Sequence, residues 1–158
     1  MIDLKRKEDC CGCAACRDKC PTQAIQMKED EEGFFYPVIA EDQCVGCGQC
    51  EQVCPVQHAE NHQATQIKAY ACHAKDNELR RNSTSGGMFA VLARWFLLEK
   101  RGIVYGARFD AQYQVVHYGI ESLEELMQLQ GSKYVQSDMT GIYRQIEEKL
   151  KQERYVLF

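Results

Sequence analysis

The alternation of apolar and polar residues divides the chain into a short N-terminal region and a longer C-terminal one. Near the N-terminus, apolar-rich runs at residues 24–27 and 34–39 predict two strands joined by a charged turn at residues 28–33. Residues 56–66 are polar and aperiodic, which is typical of a linker. We therefore expect a first domain at residues 1–60, a linker at residues 61–66 and a second domain at residues 67–158.

The second region alternates between strand patterns and helix patterns. An alternating run predicts a strand at residues 67–73, and apolar-rich runs predict strands at residues 103–109, 113–120 and 154–158. Helical spacing predicts a helix that ends near Gly102 and has its apolar positions at Met88, Val91, Leu92, Trp95 and Phe96. Further helices are expected from Ser122 and after Asp138. The expected fold class is α+β, with a small first domain and an α/β second domain.

Ten cysteines change this picture, because eight of them form one motif twice. The motif is Cys-x2-Cys-x2-Cys-x3-Cys-Pro. Its first copy consists of Cys10, Cys13, Cys16, Cys20 and Pro21, and its second of Cys44, Cys47, Cys50, Cys54 and Pro55. Three cysteines spaced three residues apart on a tight loop reach three of the four irons of a cubane. The doubled spacing therefore predicts ligands for two 4Fe-4S clusters.

The fourth cysteine of each copy is expected to bind the neighbouring cluster, because it lies on a short helix that leads away from its own loop. The proline that follows ends this helix, since it lacks an N–H donor. The predicted ligand sets are Cys10, Cys13, Cys16 and Cys54 for one cluster, and Cys44, Cys47, Cys50 and Cys20 for the other. Small residues in the loops would let backbone amides approach the cluster sulfurs: Gly12, Ala14, Ala15, Gly46 and Gly48. We interpret the first domain as a ferredoxin-like electron-transfer module.

Disulfides and zinc sites fit the cysteine pattern less well than iron–sulfur clusters do. Disulfide frameworks are typical of secreted proteins. The basic start at residues 5–7 is not followed by the apolar segment of a secretory signal peptide. Zinc sites expect paired Cys-x2-Cys units about 15 to 20 residues apart, and the interval from Cys16 to Cys44 is longer. Cys11 and Cys72 lie outside the motif, and we expect both to pack as small core residues.

Length and charge restrict the remaining function classes. A region of about 60 residues buries little core, so the metal sites are expected to supply much of its folding energy. The net charge is −4, with both signs mixed along the chain, so we expect no nucleic-acid binding. The most apolar stretch, residues 88–98, contains Arg94 and is too short for a membrane span. We expect a cytoplasmic protein, because thiols stay reduced there.

Two loops of the second region carry groups suited to ligand binding. Residues 83–87 place hydroxyls and two glycines before a helix, where free amides favour an anion such as a cofactor phosphate. A serine N-cap with glycines for close packing would account for the same residues, and the loop matches neither a Walker motif nor a GxGxxG fingerprint. Residues 131–137 offer a lysine, a tyrosine and other polar groups for a phosphate and a ring.

The order of these motifs resembles the beta subunit of the coenzyme F-420 (deazaflavin) hydrogenase and dehydrogenase family. The resemblance covers nearly the whole chain and rests on the two-cluster module followed by residues 81–87 (RNSTSGG), 104–107 (VYGA) and 131–137 (GSKYVQS). It implies that the second domain binds FAD and that clusters exchange electrons with the flavin. It also implies that these residues lie near the flavin: Ser85, Gly86, Gly87, Ser132, Lys133 and Tyr134. It indicates no catalytic residue.

Members of that family typically continue past the strand that matches residues 155–158 with a Gly-Thr-Pro-Cys segment and a further half domain. We therefore expect the chain to be a fragment, a truncated reading frame or one part of a split system, with a partial α/β flavin-binding-type domain. An apolar strand at the end of the chain would otherwise leave an edge to be covered.

Two functional hypotheses follow. In the first, the chain is an iron–sulfur flavoprotein oxidoreductase in which FAD performs two-electron chemistry. Its two 4Fe-4S clusters would relay single electrons to a ferredoxin or a partner subunit. In the second, the chain is a non-enzymatic electron carrier whose α/β region docks it onto a larger complex. In both hypotheses the partner is a redox protein.

Overall fold

The computed structural model describes residues 2, 6–58 and 68–158, so the predicted linker at residues 61–66 lies outside the described residues. The chain forms two compact units. One, which we call the cysteine unit, consists of Met1–Ala64 and Met139–Arg144. The other, the α/β unit, consists of Thr65–Asp138 and Gln145–Phe158.

The cysteine unit contains one β-hairpin and two short helices that carry the cysteine motifs. In chain order these are helix α1 (Ala15–Lys19), strand β1 (Ile25–Glu29), strand β2 (Phe35–Ile39) and helix α2 (Gln49–Gln52). The two strands are antiparallel, with Ile25 opposite Ile39. Asp30 forms the turn between them by accepting hydrogen bonds from the amides of Glu32 and Phe34. The two strands predicted here are thereby confirmed.

One small hydrophobic cluster of the cysteine unit consists of cysteine and isoleucine in equal numbers. Its buried members are Cys16, Ile25 and Cys50, which are 7%, 4% and 9% exposed. The partly buried side chains of Ile2, Cys20 and Ile39 pack against them. Each of the buried cysteines belongs to a predicted ligand set, so the same residues would fill the core and bind metal.

The α/β unit is built on a three-stranded mixed sheet. Its elements are helix α3 (Asn77–Arg81), helix α4 (Met88–Glu99), strand β3 (Ile103–Phe109), strand β4 (Val115–Ile120), helix α5 (Leu126–Leu129) and strand β5 (Val156–Leu157). Helix α6 (Ile142–Lys151) begins in the cysteine unit and ends in this one. The strand order is β4-β3-β5, with β3 antiparallel to β4 and parallel to β5. The mixed helices and strands make the chain an α+β protein.

An aliphatic core joins this sheet to its helices. Ala93 and Leu97 of α4 pack with Val104 of β3 and Ile120 of β4, and Leu126 and Leu129 of α5 complete the cluster. Val104 and Ile120 are fully buried. Helix α4 is confirmed, but the side chains that it buries most deeply are Ala90, Ala93 and Leu97. Small residues on that face let the helix approach the sheet, while its larger Leu92 and Trp95 stay half exposed.

Several local predictions for the α/β unit are wrong. Residues 68–73 of the predicted strand form no strand and are exposed, and the first buried residue after them is Ala74, 2% exposed. The short helix begins at Leu126 rather than Ser122, whose hydroxyl instead donates to the Glu125 carboxylate at 3.2 Å. After α4 the left-handed residue is Arg101, with φ +48°. Gly102 is needed because a Cβ there would overlap the Phe96 ring.

The two cysteines outside the motif are not core residues, which corrects that expectation. Cys11 and Cys72 are both exposed. Cys72 is exposed because residues 68–73 form no strand. The alternation of apolar and polar residues along them therefore buries no side chain. In the first loop the motif residue Cys16 is buried, whereas Cys11, which lies outside the motif spacing, is exposed. None of the described helices is both long and apolar enough to cross a membrane.

Candidate functional site

The first set of predicted ligands gathers around the loop before α1. Cys16, on α1, is 7% exposed and lies within electrostatic range of Cys10 and Cys13. Cys10 in turn lies within electrostatic range of Cys54, from the second copy of the motif. One cysteine of the first loop, Cys10, therefore interacts with the fourth cysteine of the other copy, and the crossed ligand set stays a prediction.

The second set lines a single cavity. Cys20, from the first copy, faces this cavity together with Cys44, Cys47 and Cys50, which all come from the second copy. Apolar side chains of the hairpin and the loop complete the lining, among them Ile25 and Ile39. The structure thus brings the fourth cysteine of the first copy to the three loop cysteines of the second.

The two loops share an unusual backbone conformation at equivalent positions. The residue two places after the first cysteine is left-handed in both, with φ +63° at Gly12 and +67° at Gly46. The residue four places after it is left-handed as well, with φ +62° at Ala14 and +73° at Gly48. Each of these second positions is also the N-cap of the helix that follows. The two loops therefore share the same left-handed positions, and Ala14 adopts this conformation with strain that glycine avoids.

Backbone amides point at the sulfurs of the first loop. The Gly12 amide donates to Cys10 Sγ at 3.4 Å. Burial raises the pKa of the Cys16 thiol to about 12, although a hydrogen bond from the Arg17 amide opposes this. Burial also raises the pKa of Cys10 and of Cys13. Without metal these thiols stay protonated near neutral pH, so binding of a cluster has to displace their protons.

Cys20 differs from the cysteines of that loop. Burial alone would raise the pKa of its thiol, but hydrogen bonds from the Thr22 hydroxyl and from the amides of Thr22, Ala24 and Ile25 outweigh burial and lower it. The Cys20 Sγ and Thr22 Oγ1 atoms are 3.6 Å apart. Such donors stabilise a thiolate, which is the form that binds iron.

No group of three or more Cys, His, Asp or Glu within the described residues converges on one point as the ligands of a single metal ion do. Zinc ligands converge in this way, because every sulfur lies about 2.3 Å from the same ion. In a cubane each thiolate binds a different iron, so the four thiolates surround the cluster instead.

A second cavity, of about 380 Å³, lies in the α/β unit. Residues 83–90 and 129–132 line it, together with Cys72. The two loops are joined by a hydrogen bond from the Ser132 amide to Thr84 Oγ1 at 3.1 Å, and by one from Gln130 Nε2 to Ser83 Oγ at 3.4 Å. Two loops that are separated by more than 40 residues therefore line one cavity.

The loop before α4 is not an ordinary serine cap. The N-cap of α4 is Gly87, with φ +78°, and no side chain within this described segment caps the helix. Ser83 instead donates its hydroxyl to the Leu79 carbonyl at 2.8 Å. Close packing does account for the glycines, because a Cβ on Gly86 would lie 2.7 Å from the Cys72 carbonyl oxygen. The helix N-terminus opens on the cavity, since Gly87 and the residues after it line it.

Four of the six predicted flavin residues line this cavity, namely Ser85, Gly86, Gly87 and Ser132. Lys133 and Tyr134 are not part of its lining. The Lys133 ammonium donates to the carbonyl oxygens of Gln130 at 2.8 Å and Gln128 at 3.3 Å, which places it over the end of α5. Burial lowers the pKa of Lys133. Tyr134 is 90% exposed.

Comparison with known proteins identifies the N-terminal part of the chain. Residues 9–58 match the model of the 4Fe-4S dicluster domain family, a range that contains both copies of the cysteine motif. The chain carries an N-terminal 4Fe-4S dicluster domain. No curated protein matches the chain. The dicluster domain indicates iron–sulfur electron transfer with redox partners, whereas the deazaflavin beta-subunit family is not among the matches and stays a hypothesis.

Proposed function

We propose that this chain relays single electrons through two 4Fe-4S clusters within an FAD-dependent oxidoreductase of the deazaflavin hydrogenase and dehydrogenase beta-subunit type. The observation that carries the electron-transfer part is the crossed placement of the fourth cysteines. Cys20 lines a cavity with Cys44, Cys47 and Cys50, and Cys54 interacts electrostatically with Cys10. A bound 4Fe-4S cluster takes up and returns one electron at a time.

The donor groups of the dicluster domain fit such clusters. Cys10, Cys13, Cys16 and Cys54 would hold one, and Cys44, Cys47, Cys50 and Cys20 the other. The amides that point at Cys10 and Cys20 would donate to ligand sulfurs. Hydrogen bonds to the sulfurs disperse negative charge, which makes reduction easier and sets the potential.

Support for the flavin part comes from the resemblance and from the cavity beside α4. Ser85, Gly86, Gly87 and Ser132 line this cavity, and a helix N-terminus favours a phosphate group. In the proposal these residues bind FAD, with Ser132 and the amides after Gly87 as donors. Contact of Lys133 and Tyr134 with the flavin rests on the resemblance alone.

The proposed partner is a redox protein, either a ferredoxin or another subunit of an oxidoreductase. Electrons would pass between this partner and the flavin by way of the two cysteine sites. We place the protein in the cytoplasm, because a reducing compartment keeps ligand thiols available for cluster assembly.

A non-enzymatic electron carrier is the second candidate, and the small volume of the cavity and the hydrogen bonds of Lys133 favour it. About 380 Å³ is at the lower end of the volumes of ligand cavities, roughly 300 to 1,000 Å³. The ammonium of Lys133, the charged group of the 131–137 loop, is bound to carbonyl oxygens of its own chain. In this alternative the α/β unit docks the clusters onto a larger complex.

Anaerobic purification followed by iron, sulfide and flavin analysis distinguishes these functions. The flavoprotein predicts about eight irons per chain, from two four-iron clusters, and one flavin. About eight irons without flavin would leave only the carrier. Substantially fewer than about four irons would contradict both.

A matched pair of variants separates the two cofactors. Ser132→Trp should fill the cavity and lower flavin binding while iron stays at about eight per chain. Cys13→Ala should lower iron while flavin stays bound. Flavin content that is unaffected by Ser132→Trp would place the flavin elsewhere.

A further inference from the structure

Helix α1 connects the two predicted cluster sites. Cys16 lies on this helix, and Cys20 is its C-cap residue. In the crossed assignment Cys16 binds one cluster and Cys20 the other. Any group that fixes the C-terminal end of α1 therefore also fixes the ligand that crosses to the second site.

One such group comes from a segment of the same unit that lies far away in sequence, Met139–Arg144. The Asp18 carboxylate accepts hydrogen bonds from the Gly141 amide at 3.0 Å and from the Tyr143 amide at 3.1 Å. Asp18 is 6% exposed and is the one charged residue among the buried side chains described. A carboxylate at this position caps the N-terminus of α6 and interacts favourably with its dipole.

Arg144, on α6, donates hydrogen bonds to the C-terminal end of α1. Its Nε donates to the Asp18 carbonyl oxygen at 2.5 Å, and its Nη2 donates to the Cys20 carbonyl oxygen at 3.0 Å. These carbonyls belong to the last turn of α1, where a cation is favourable. The planar guanidinium holds both oxygens in a fixed geometry, which a lysine ammonium cannot reproduce. Helices α1 and α6 thus cap each other through Asp18 and Arg144.

The two charges are not equivalent for a nearby cluster. The Asp18 carboxylate is paired with Arg17, whose Nη1 lies 3.1 Å from Oδ1. The Arg144 guanidinium is held by carbonyl oxygens and brings its positive charge to the backbone of a ligand residue. Reduction adds one negative charge to a cluster that four thiolates already make anionic. A fixed positive charge close by stabilises the reduced form more than the oxidised form.

We propose that Arg144 is a positioning residue for the cluster held by Cys20, Cys44, Cys47 and Cys50, and that its charge raises the reduction potential of that cluster. The inference rests on the two-cluster function proposed above. It concerns a residue outside the dicluster domain at residues 9–58, and it makes the first turn of α6 part of the electron-transfer site.

The test is a redox titration followed by electron paramagnetic resonance on the full chain, with three variants. Arg144→Gln removes the charge. Arg144→Lys keeps the charge but cannot hydrogen-bond to both carbonyl oxygens as the planar guanidinium does. Arg154→Gln is the control, because Arg154 pairs with Glu121 at 2.7 Å within the α/β unit. Each is also made in a Cys10→Ala background, which removes the first cluster and assigns the remaining signal to the second.

The proposal predicts that Arg144→Gln shifts the potential of the second cluster to a more negative value, with iron content retained. Arg144→Lys should shift it less, and Arg154→Gln should leave it unchanged. An unchanged potential in Arg144→Gln with about eight irons bound would overturn the proposal, as would equal shifts in the glutamine and lysine variants. If Arg144→Gln fails to assemble clusters, the test rests on the potential of the second cluster in Arg144→Lys and in Arg154→Gln. A more negative potential in Arg144→Lys would support the proposal. Equal potentials in these two variants would overturn it. A wild-type chain without clusters would instead contradict the proposed function itself.

Discussion

The two units bury different kinds of residue, and this difference predicts how each one folds. The cysteine unit buries Cys16 and Cys50 beside Ile25. The core of the α/β unit is aliphatic, with Val104 and Ile120 fully buried. One core is complete only when its thiols bind metal, because buried thiols and a few apolar groups supply little hydrophobic stabilisation. The core of the α/β unit needs no metal, because the burial of its apolar side chains stabilises it.

Removal of iron is the perturbation with the largest expected effect. Stripping both clusters with a chelator should unfold the cysteine unit while the α/β unit stays folded, because only the first has ligands in its core. Amide hydrogen exchange measures this: strands β1 and β2 should lose protection, and strands β3 and β4 should keep it. Protected amides in β1 and β2 of the iron-free chain would show that the cysteine unit does not need metal.

Substitution of one buried ligand should remove one of the two clusters, which is half of what the chelator removes. Cys50→Ala should lower iron from about eight to about four per chain and abolish one of the two cluster signals. Cys72→Ala is the matched control, because Cys72 is exposed and lies outside the motif. It should leave iron unchanged. Equal losses from both sites in Cys50→Ala would argue against two independent clusters.

A cavity in the aliphatic core should destabilise the α/β unit without affecting iron. Ile120→Ala should reduce the free energy of unfolding by about 2 to 5 kcal/mol, because Ile120 is 0% exposed. Leu92→Ala, at a position that is 51% exposed, should change it by less than about 1 kcal/mol. Denaturation followed by the fluorescence of the single tryptophan, Trp95 on α4, reports on this unit. Loss of iron in Ile120→Ala would show that the two cores are not independent.

The smallest expected effects compare the two loops of the cysteine unit with each other. Ala14 and Gly48 occupy equivalent left-handed positions. Ala14→Gly should slow the release of iron in denaturant, and Gly48→Ala should accelerate it, each by changing the activation free energy of release by about 1 to 2 kcal/mol. A Cβ on Gly48 meets no atom closer than 3.8 Å, so strain in the backbone is the expected cause. Effects of the same sign in both variants would contradict the equivalence of the loops.

Local patterns made much of the cysteine unit predictable from sequence. Ligand spacing is a property of short loops, so Cys10 to Cys20 and Cys44 to Cys54 indicated the dicluster domain without any knowledge of tertiary structure. The hairpin between them followed from two apolar-rich runs and from the charged turn that contains Asp30. Strand β3 was predictable from its apolar residues, since residues 103–109 begin with the buried run Ile103, Val104 and Tyr105.

Long-range partners were not predictable in this way. Asp18 and Arg144 lie 126 residues apart in sequence, and neither stands out locally, because a charged residue in a helix is usually solvated. The exposure of Cys11 and Cys72 depends on the path of the backbone, which alternation does not specify. The meeting of Thr84 with Ser132 is a tertiary contact as well, and only a resemblance to a family linked those two loops beforehand.

The central claim is that the fourth cysteines cross between the two motifs, and paired substitutions test it most directly. If Cys20 serves the same cluster as Cys47, the double variant Cys20→Ala/Cys47→Ala should lose one cluster and keep about four irons per chain. The double variant Cys20→Ala/Cys13→Ala should lose both clusters. The reverse pattern, with about four irons kept in Cys20→Ala/Cys13→Ala and none in Cys20→Ala/Cys47→Ala, would show that each motif holds its own cluster and would contradict this account.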